Sequence, residues 1–330
     1  MRLGMLIESG ENWRDAIAKI RVVEDLGIEV VAVPESWKVS AVPWMAAIAV
    51  ETSKIQICSS ILNVWSRTPA AMAQDYAMLE ELSEGRMILG LGASGKHLVE
   101  NFHGVPFEHP LRRIREYVEV FDRLIAGDSC DYDGEIFKLS GGFKVDYNRP
   151  RSKVPVYIAA LAPNSISQTG AIADGIIPVH WPKDLFPLLR AQLEAGAASA
   201  GRPDKKFVLQ PHMHVDVLDG TPDDAAKWRS ARREIQYYTN RMGSIYADMF
   251  ERNGFAEEVS RSKAAWAQRD AEGSIAEISD KMVRACQVIG SLDEVREQLR
   301  ERAALVDIQM VYLPPGDATA VGHWFEQIMK

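Results

Sequence analysis

Apolar and polar positions follow two rhythms along this chain, one of period two and one of period 3.6, and the rhythms alternate from end to end. Apolar runs at residues 3–7 and 28–33 read as buried strands, the second rich in β-branched side chains. Between them Trp13, Ile17, Ile20, Val23 and Leu26 recur at helical spacing up to Gly27. The pattern predicts a helix over 44–50 and a third strand over 55–62. A further helix is opened by Thr68 as N-cap with Pro69 at its first position and closed by Gly85. Residues 86–91 form the fourth buried strand, and helix 111–126 carries Ile114, Val118, Phe121 and Leu124 on one face. Residues 130–145 leave the pattern for a small β excursion on Asp133-Gly134 and Gly141-Gly142 turns. Further strands are predicted over 154–160, 175–179, 207–218 and 307–313. Helices fall after Pro163-Asn164, within 184–200 and at the C-terminus. Residues 221–286 read as helical almost throughout, and Ser291-x-x-Glu294 is a capping box for another helix. Eight strands each followed by helix is the count of a (β/α)8 TIM barrel, an α/β fold, here one domain over 1–330. The stretch 221–286 exceeds one barrel helix and is expected as a helical insertion after strand seven, flanking the catalytic face.

Two consecutive strand-to-helix turns carry unusual chemistry. After the third strand come Asn63, Trp65, Ser66 and Arg67; after the fourth come Gly90, Gly92 and Gly95 in G-x-G-x-x-G spacing. In α/β proteins that end of the sheet is where ligands bind. The glycine motif does not continue as a dinucleotide fingerprint, because Gly104, Pro106 and Pro110 interrupt any βαβ unit and no acidic strand end follows about 20 residues on. A tight turn needing no ligand is one alternative. The favoured one has backbone N–H groups of Ala93, Ser94 and Gly95 facing an anionic ligand.

Composition narrows the class. The chain has 330 residues, 47% hydrophobic and 25% charged, with a net charge of −8, which argues against nucleic acid or an anionic membrane surface as main partner. No run is long and apolar enough to span a bilayer, and residues 1–9 turn acidic too soon for a signal peptide. Three dispersed cysteines, Cys58, Cys130 and Cys286, match no metal spacing and fit a reducing cytoplasm.

The segment 51–95, with its ETSKIQI, RTP, LEELSEGR and LGLGASG, resembles the bacterial-luciferase-like oxidoreductases. The resemblance continues in HGVPFEHPLRRIREYVEV and PVYIAALAPNSISQTGAIADGIIPV and covers about two thirds of the chain. It is strongest toward the branch dependent on coenzyme F420, which includes methylenetetrahydromethanopterin reductase, in an actinobacterial-type form. The family implies a luciferase-like barrel that binds F420 or FMN. It implies a bulge with a non-prolyl cis peptide at Ser60–Ile61 behind the cofactor ring and Asn63 beside that ring. It implies a phosphate held by Gly92, Ala93, Ser94, Gly95 and Lys96 and by the turn Ala160, Leu161, Ala162 and Asn164. Glu35 and Ser36 would face the reactive edge. The Asp-His pair of F420-dependent sugar-phosphate dehydrogenases is absent there, which moves the chain toward the reductases.

The expected activity is hydride transfer between F420 and a small organic substrate. The alternatives are an FMN-dependent monooxygenase using reduced flavin and a barrel that binds cofactor without turnover. Glu35 is a candidate acid, a salt bridge to Arg67 or Lys38 being the equal alternative. His180, beside Trp181, is a candidate donor to a substrate carbonyl, against the plainer role of a hydrogen-bonded histidine. Trp44, Trp65 and Trp181 either wall the pocket or fill the core. His212 and His214 share a strand face, but no third ligand stands at metal spacing, and no metal site is assigned. Family members imply a homodimer, expected through helices on the side of strands two and three.

Overall fold

The computed structural model describes residues 1–8 and 10–330, so Ser9 of the opening segment lies outside it. Eight parallel strand positions organise the chain. They are Leu3–Leu6, Val30–Val33, Gln56–Ser59, Met87–Gly92, Val156–Ile158, Gly175–Ile176, a seventh in two pieces (Val208–Leu209 and His212–Met213), and Gln309–Tyr312. Each pairs in parallel with its sequence neighbour, and the last pairs with the first. The two ends of the hydrogen-bonded path are the two pieces of strand seven, separated only by Gln210 and Pro211, while Val179 bridges His212. The sheet is therefore curled round on itself, with helices outside.

Side chains alternate between the two faces as a strand requires. Leu6, Val30, Ala32, Cys58, Ile88 and Met310 belong to an inner cluster enclosed by the sheet. Met5, Val31, Val33, Ile57 and Leu89 belong to the outer layer packed under the helices. Both faces are buried, which explains why these strands are apolar throughout rather than amphipathic.

Three departures from the sequence pattern matter. The predicted strand 55–62 stops at Ser59, then resumes as Leu62–Asn63 against Leu91–Gly92. Three residues, Ser59 to Ile61, oppose two, Leu89 and Gly90, so the strand is bulged, and the Ser60–Ile61 peptide is cis. The predicted strand 207–218 is three pieces: Pro211 has no N–H to donate, and Val215–Leu218 leaves the main sheet to pair with Val288–Ser291. A short helix, Lys96–Asn101, does start at the glycine turn, but it ends before any further strand. Between Val215–Leu218 and Val288–Ser291 lie the helices Asp223–Arg241, Ser244–Phe250, Ala256–Ala267, Ala271–Ala276 and Asp280–Cys286. Both reciprocal bonds of the Ser291–Glu294 capping box are made.

Candidate functional site

The C-terminal ends of the parallel strands converge on one face. The bulge of strand three lies at that end, and Gly90 permits it. A Cβ there would lie 1.8 Å from the Ser59 carbonyl oxygen, so only glycine lets the bulged strand fold against strand four. Ser59 fixes the same contact from the other side, its hydroxyl donating to the Gly90 carbonyl at 2.8 Å and accepting the Gly90 N–H at 2.9 Å. Gly92 faces Ile61, and a Cβ would stand 3.1 Å from the Ile61 Cδ1. Ser60 turns its hydroxyl to Nε2 of His212 at 3.1 Å.

The two turns expected to hold a phosphate end adjacent strands, since Leu91 is in register with Ile158. In the first, the Ala93 carbonyl accepts the Trp65 indole N–H at 2.7 Å, and Ser94 holds φ +58°. Gly95 and Lys96 are exposed there, and a Cβ on Gly95 would meet nothing within 4 Å. In the second, Ala160 and Leu161 are buried, and helix Pro163–Ile172 starts at Ala162 and exposes Asn164. The first-turn N–H groups of such a helix, with the open glycine turn beside them, fit an anionic group.

Asn63 is buried and spends its Oδ1 on the N–H groups of Trp65 and Ser66, 2.9 and 2.8 Å away, which turns the chain out of its strand. Its Nδ2 lies 3.3 Å from Nε2 of His103. Ser36 is half-buried on the loop after strand two. Glu35, just before it, makes the Arg67 pair. Its two oxygens lie 2.8 and 3.1 Å from the guanidinium, and Oε2 also accepts the Ala41 N–H at 2.9 Å. Trp65 and Trp181 are buried and Trp44 is half-buried in the outer core.

His180 differs from Glu35 in being uncommitted. It is fully buried at φ +55°, and neither ring nitrogen meets a hydrogen-bond partner among the described residues. Burial pushes its pKa down to about 4, Glu234 opposing and His214 adding to the effect. Around it stand residues that the sequence did not single out. Glu234 and Tyr238 are one turn apart on helix Asp223–Arg241 and so share a face. Tyr238 meets His180 edge-on at 4.5 Å and Tyr246 at 4.6 Å. Tyr312, at the end of strand eight, stacks on His214 at 4.0 Å with the rings 3° from parallel. Burial above all, with Glu234 adding to it, raises the pKa of Tyr238, Tyr246 and Tyr312, so all three remain hydrogen-bond donors. Burial alone would raise Glu234; the facing His214 and His180 bring it below the ordinary carboxylate range. His212, driven down to about 3 by burial, is neutral as well. The i, i+4 spacing of Glu234 and Tyr238 was visible in the sequence, but nothing local said which face of that long helix looks onto the sheet.

A separate cavity of about 660 Å³ is lined by Lys183, Phe255, Arg284, Glu297 and Glu301, with none of Ser60, His180, His214 or Glu234. Its Lys183 and Glu301 are paired with each other at 2.7 Å.

A curled parallel sheet with a bulged third strand, an open glycine turn at a strand end and a buried histidine defines the architecture of this α/β protein. The model of the luciferase-like monooxygenase family matches residues 1–307, and the chain belongs to that family. It is 30% identical over 294 residues to the 5,10-methylenetetrahydromethanopterin reductase of Archaeoglobus fulgidus, covering 86% of this chain and 84% of that one. It is 34% identical over 187 residues to the F420-dependent glucose-6-phosphate dehydrogenase of Kineococcus radiotolerans, covering 54% and 55%. The fold matches that of the coenzyme F420-dependent tetrahydromethanopterin reductase of Methanopyrus kandleri with a TM-score of 0.82, at 24% identity, over 100% of this chain and 99% of that one.

Proposed function

We propose that this chain is a coenzyme F420-dependent oxidoreductase that moves hydride between the deazaflavin and a small organic substrate. The observation that carries it is the bulge at Ser60–Ile61 on the strand beside the one that ends in the open turn at Gly92–Lys96, with the buried His180, unpartnered among the described residues, two strands further round the sheet. Similarity to proteins named as coenzyme F420-dependent, one of them along 97% of the chain, supports the choice of cofactor. Bound F420 supplies or accepts the hydride. Ser60 and Ile61 back its ring, with Asn63 shaping the strand end beside it. Backbone N–H groups of Gly92, Ala93, Ser94, Gly95 and Lys96, with those of Leu161, Ala162 and Asn164, hold its phosphate. Ala160 packs beneath that turn.

His180 meets the substrate and moves the proton that hydride transfer leaves to be placed. Its neutral imidazole can donate from one nitrogen, and its burial keeps bulk water from the reacting atoms. Glu35, held by Arg67 and the Ala41 N–H, sets the shape of the strand-two edge and, with Ser36, faces the substrate. The helices between Asp223 and Cys286 act as an insertion after strand seven that closes the mouth and brings Glu234 and Tyr238 to it. The enzyme works in the cytoplasm as a homodimer. Its contact is through the helices beside strands two and three, where Val50 and Met78 are 60% and 52% exposed.

Titration of the apo-protein with F420 and, separately, FMN, followed by tryptophan fluorescence, tests this reading. Micromolar binding of F420 with little for FMN is expected. Preference for FMN would overturn it and point to a monooxygenase fed with reduced flavin.

A further inference from the structure

Oε1 of Glu234 lies 3.9 Å from Nε2 of His180 and 3.6 Å from Nε2 of His214, so a single oxygen faces both imidazoles. Solvent reaches the outer two members and not the third. The side chains of His214 and Glu234 are 31% and 33% exposed, and that of His180 is 0%. Aromatic rings fix the set from three elements: Tyr312 stacked on His214, Tyr238 edge-on to His180, and Tyr246 against Tyr238. Approach by about 1 Å closes each gap to hydrogen-bond length.

From this juxtaposition we propose that His214, Glu234 and His180 form a proton relay between bulk water and the substrate. Glu234 and His214 are positioning residues behind the one group, His180, that meets it. The relay rests on the functional reading above. In the reductive direction the substrate atom that gains an electron pair takes the proton from Nδ1 of His180. Nε2 of the same ring takes a proton through Oε1 of Glu234, Glu234 is resupplied by His214, and His214 by water. Each group ends with the protons it began with, the two nitrogens of His180 exchanging roles. In the oxidative direction every transfer reverses. Such a path lets a buried imidazole act without carrying a buried positive charge. The charged and titratable neighbours agree with it. Glu234 is faced by His180, His214 and Arg233 and by the phenols of Tyr238, Tyr246 and Tyr312; His180 is faced by Glu234, His214 and His212.

The test needs no substrate. In the full-length apo-protein with 15N-labelled histidine, the exchange of the His180 ring N–H with water is measured by NMR. Glu234→Gln keeps the side chain's size but cannot pass a proton, and His214→Asn removes the outer member. Each is expected to slow that exchange by about tenfold or more, the factor of one pKa unit. Unchanged exchange in both folded variants would overturn the relay. F420 titration of the same samples separates the two ideas. Slowed exchange in a protein that binds no F420 upholds the path and sinks the functional reading. Unchanged exchange in a protein that binds F420 does the reverse.

Discussion

Two carboxylates stand at the strand-end face, and they show opposite habits. Glu35 follows strand two and has every oxygen committed, to Arg67 and to the Ala41 N–H. Glu234 comes from a helix and faces two imidazoles beyond direct hydrogen-bond distance. The first is locked by partners that never change; the second borders groups that can gain and lose protons. A place at the strand ends therefore does not make a carboxyl reactive. What decides its chemistry is how many of its lone pairs the fold has already used.

The comparison breaks first if the frame beneath both groups is disturbed. Gly90→Ala would drive a methyl group into the Ser59 carbonyl and remove the bulge. Loss of more than about 4 kcal/mol, or failure to give soluble protein, is expected by denaturant unfolding. Gly95→Ala, in the same glycine motif but with open space around it, is the matched control and should unfold with an unchanged midpoint. A tolerated Gly90→Ala would mean that the bulge is not fixed by this contact.

The next effect belongs to pH. His180 has a folded pKa of about 4 against an ordinary value of 6.5, so the unfolded chain binds its proton first as pH falls. Its contribution to stability is whole above pH 6.5 and is lost between 6.5 and 4, up to about 3 kcal/mol. Asp122 acts in the opposite sense. Burial raises it to about 6, so its contribution is present at low pH and fades as pH rises through 6. The difference between wild type and His180→Asn isolates the histidine, and asparagine tolerates the positive φ. Stability curves of the two proteins should converge by about 3 kcal/mol on going from pH 6.5 to 4. Parallel curves would show that His180 is not desolvated in the folded protein.

The sequence exposed one side of this comparison and hid the other. Glu35 and the glycine turn were legible because each is local, a strand and a polar or glycine-rich exit following one another within a few residues. The Arg67 pairing was open for the same reason, since Arg67 lies at the exit of the neighbouring strand. The bulge was implied only by the family resemblance, the residue pattern having carried strand three unbroken to Leu62. The break of strand seven at Pro211 could have been read from the missing N–H alone. Glu234, Tyr238 and Tyr246 were not legible, because their meeting with His180 depends on how a long helical stretch folds back over the sheet. Helical periodicity assigns a residue to a face, and only tertiary packing says what that face meets. His212 and His214 show the same limit. They alternate as on one strand, yet one reaches Ser60 and the other stacks on Tyr312.

The finest discrimination comes from two isosteric changes made side by side. Glu35→Gln strips the charge from a mostly buried, bidentate pair and leaves the Arg67 guanidinium, 19% exposed, facing Asp75 at 3.5 Å as its remaining ion-pair partner in view. Removing one member of such a pair costs about 3–5 kcal/mol when fully buried, and partial exposure here brings the expectation to about 2 kcal/mol. Glu234→Gln removes a charge that is a third exposed and makes no direct bond to either histidine, so its loss should fall within about 1 kcal/mol. Turnover of any substrate found should reverse the order. Glu234→Gln is expected to lower kcat about tenfold with F420 affinity unchanged, while Glu35→Gln, once corrected for the fraction folded, moves kcat less. Thermal unfolding beside steady-state kinetics reads both effects on one pair of samples. Equal stability losses, or a larger fall in kcat for Glu35→Gln, would erase the distinction between a carboxylate spent on structure and one left free for protons.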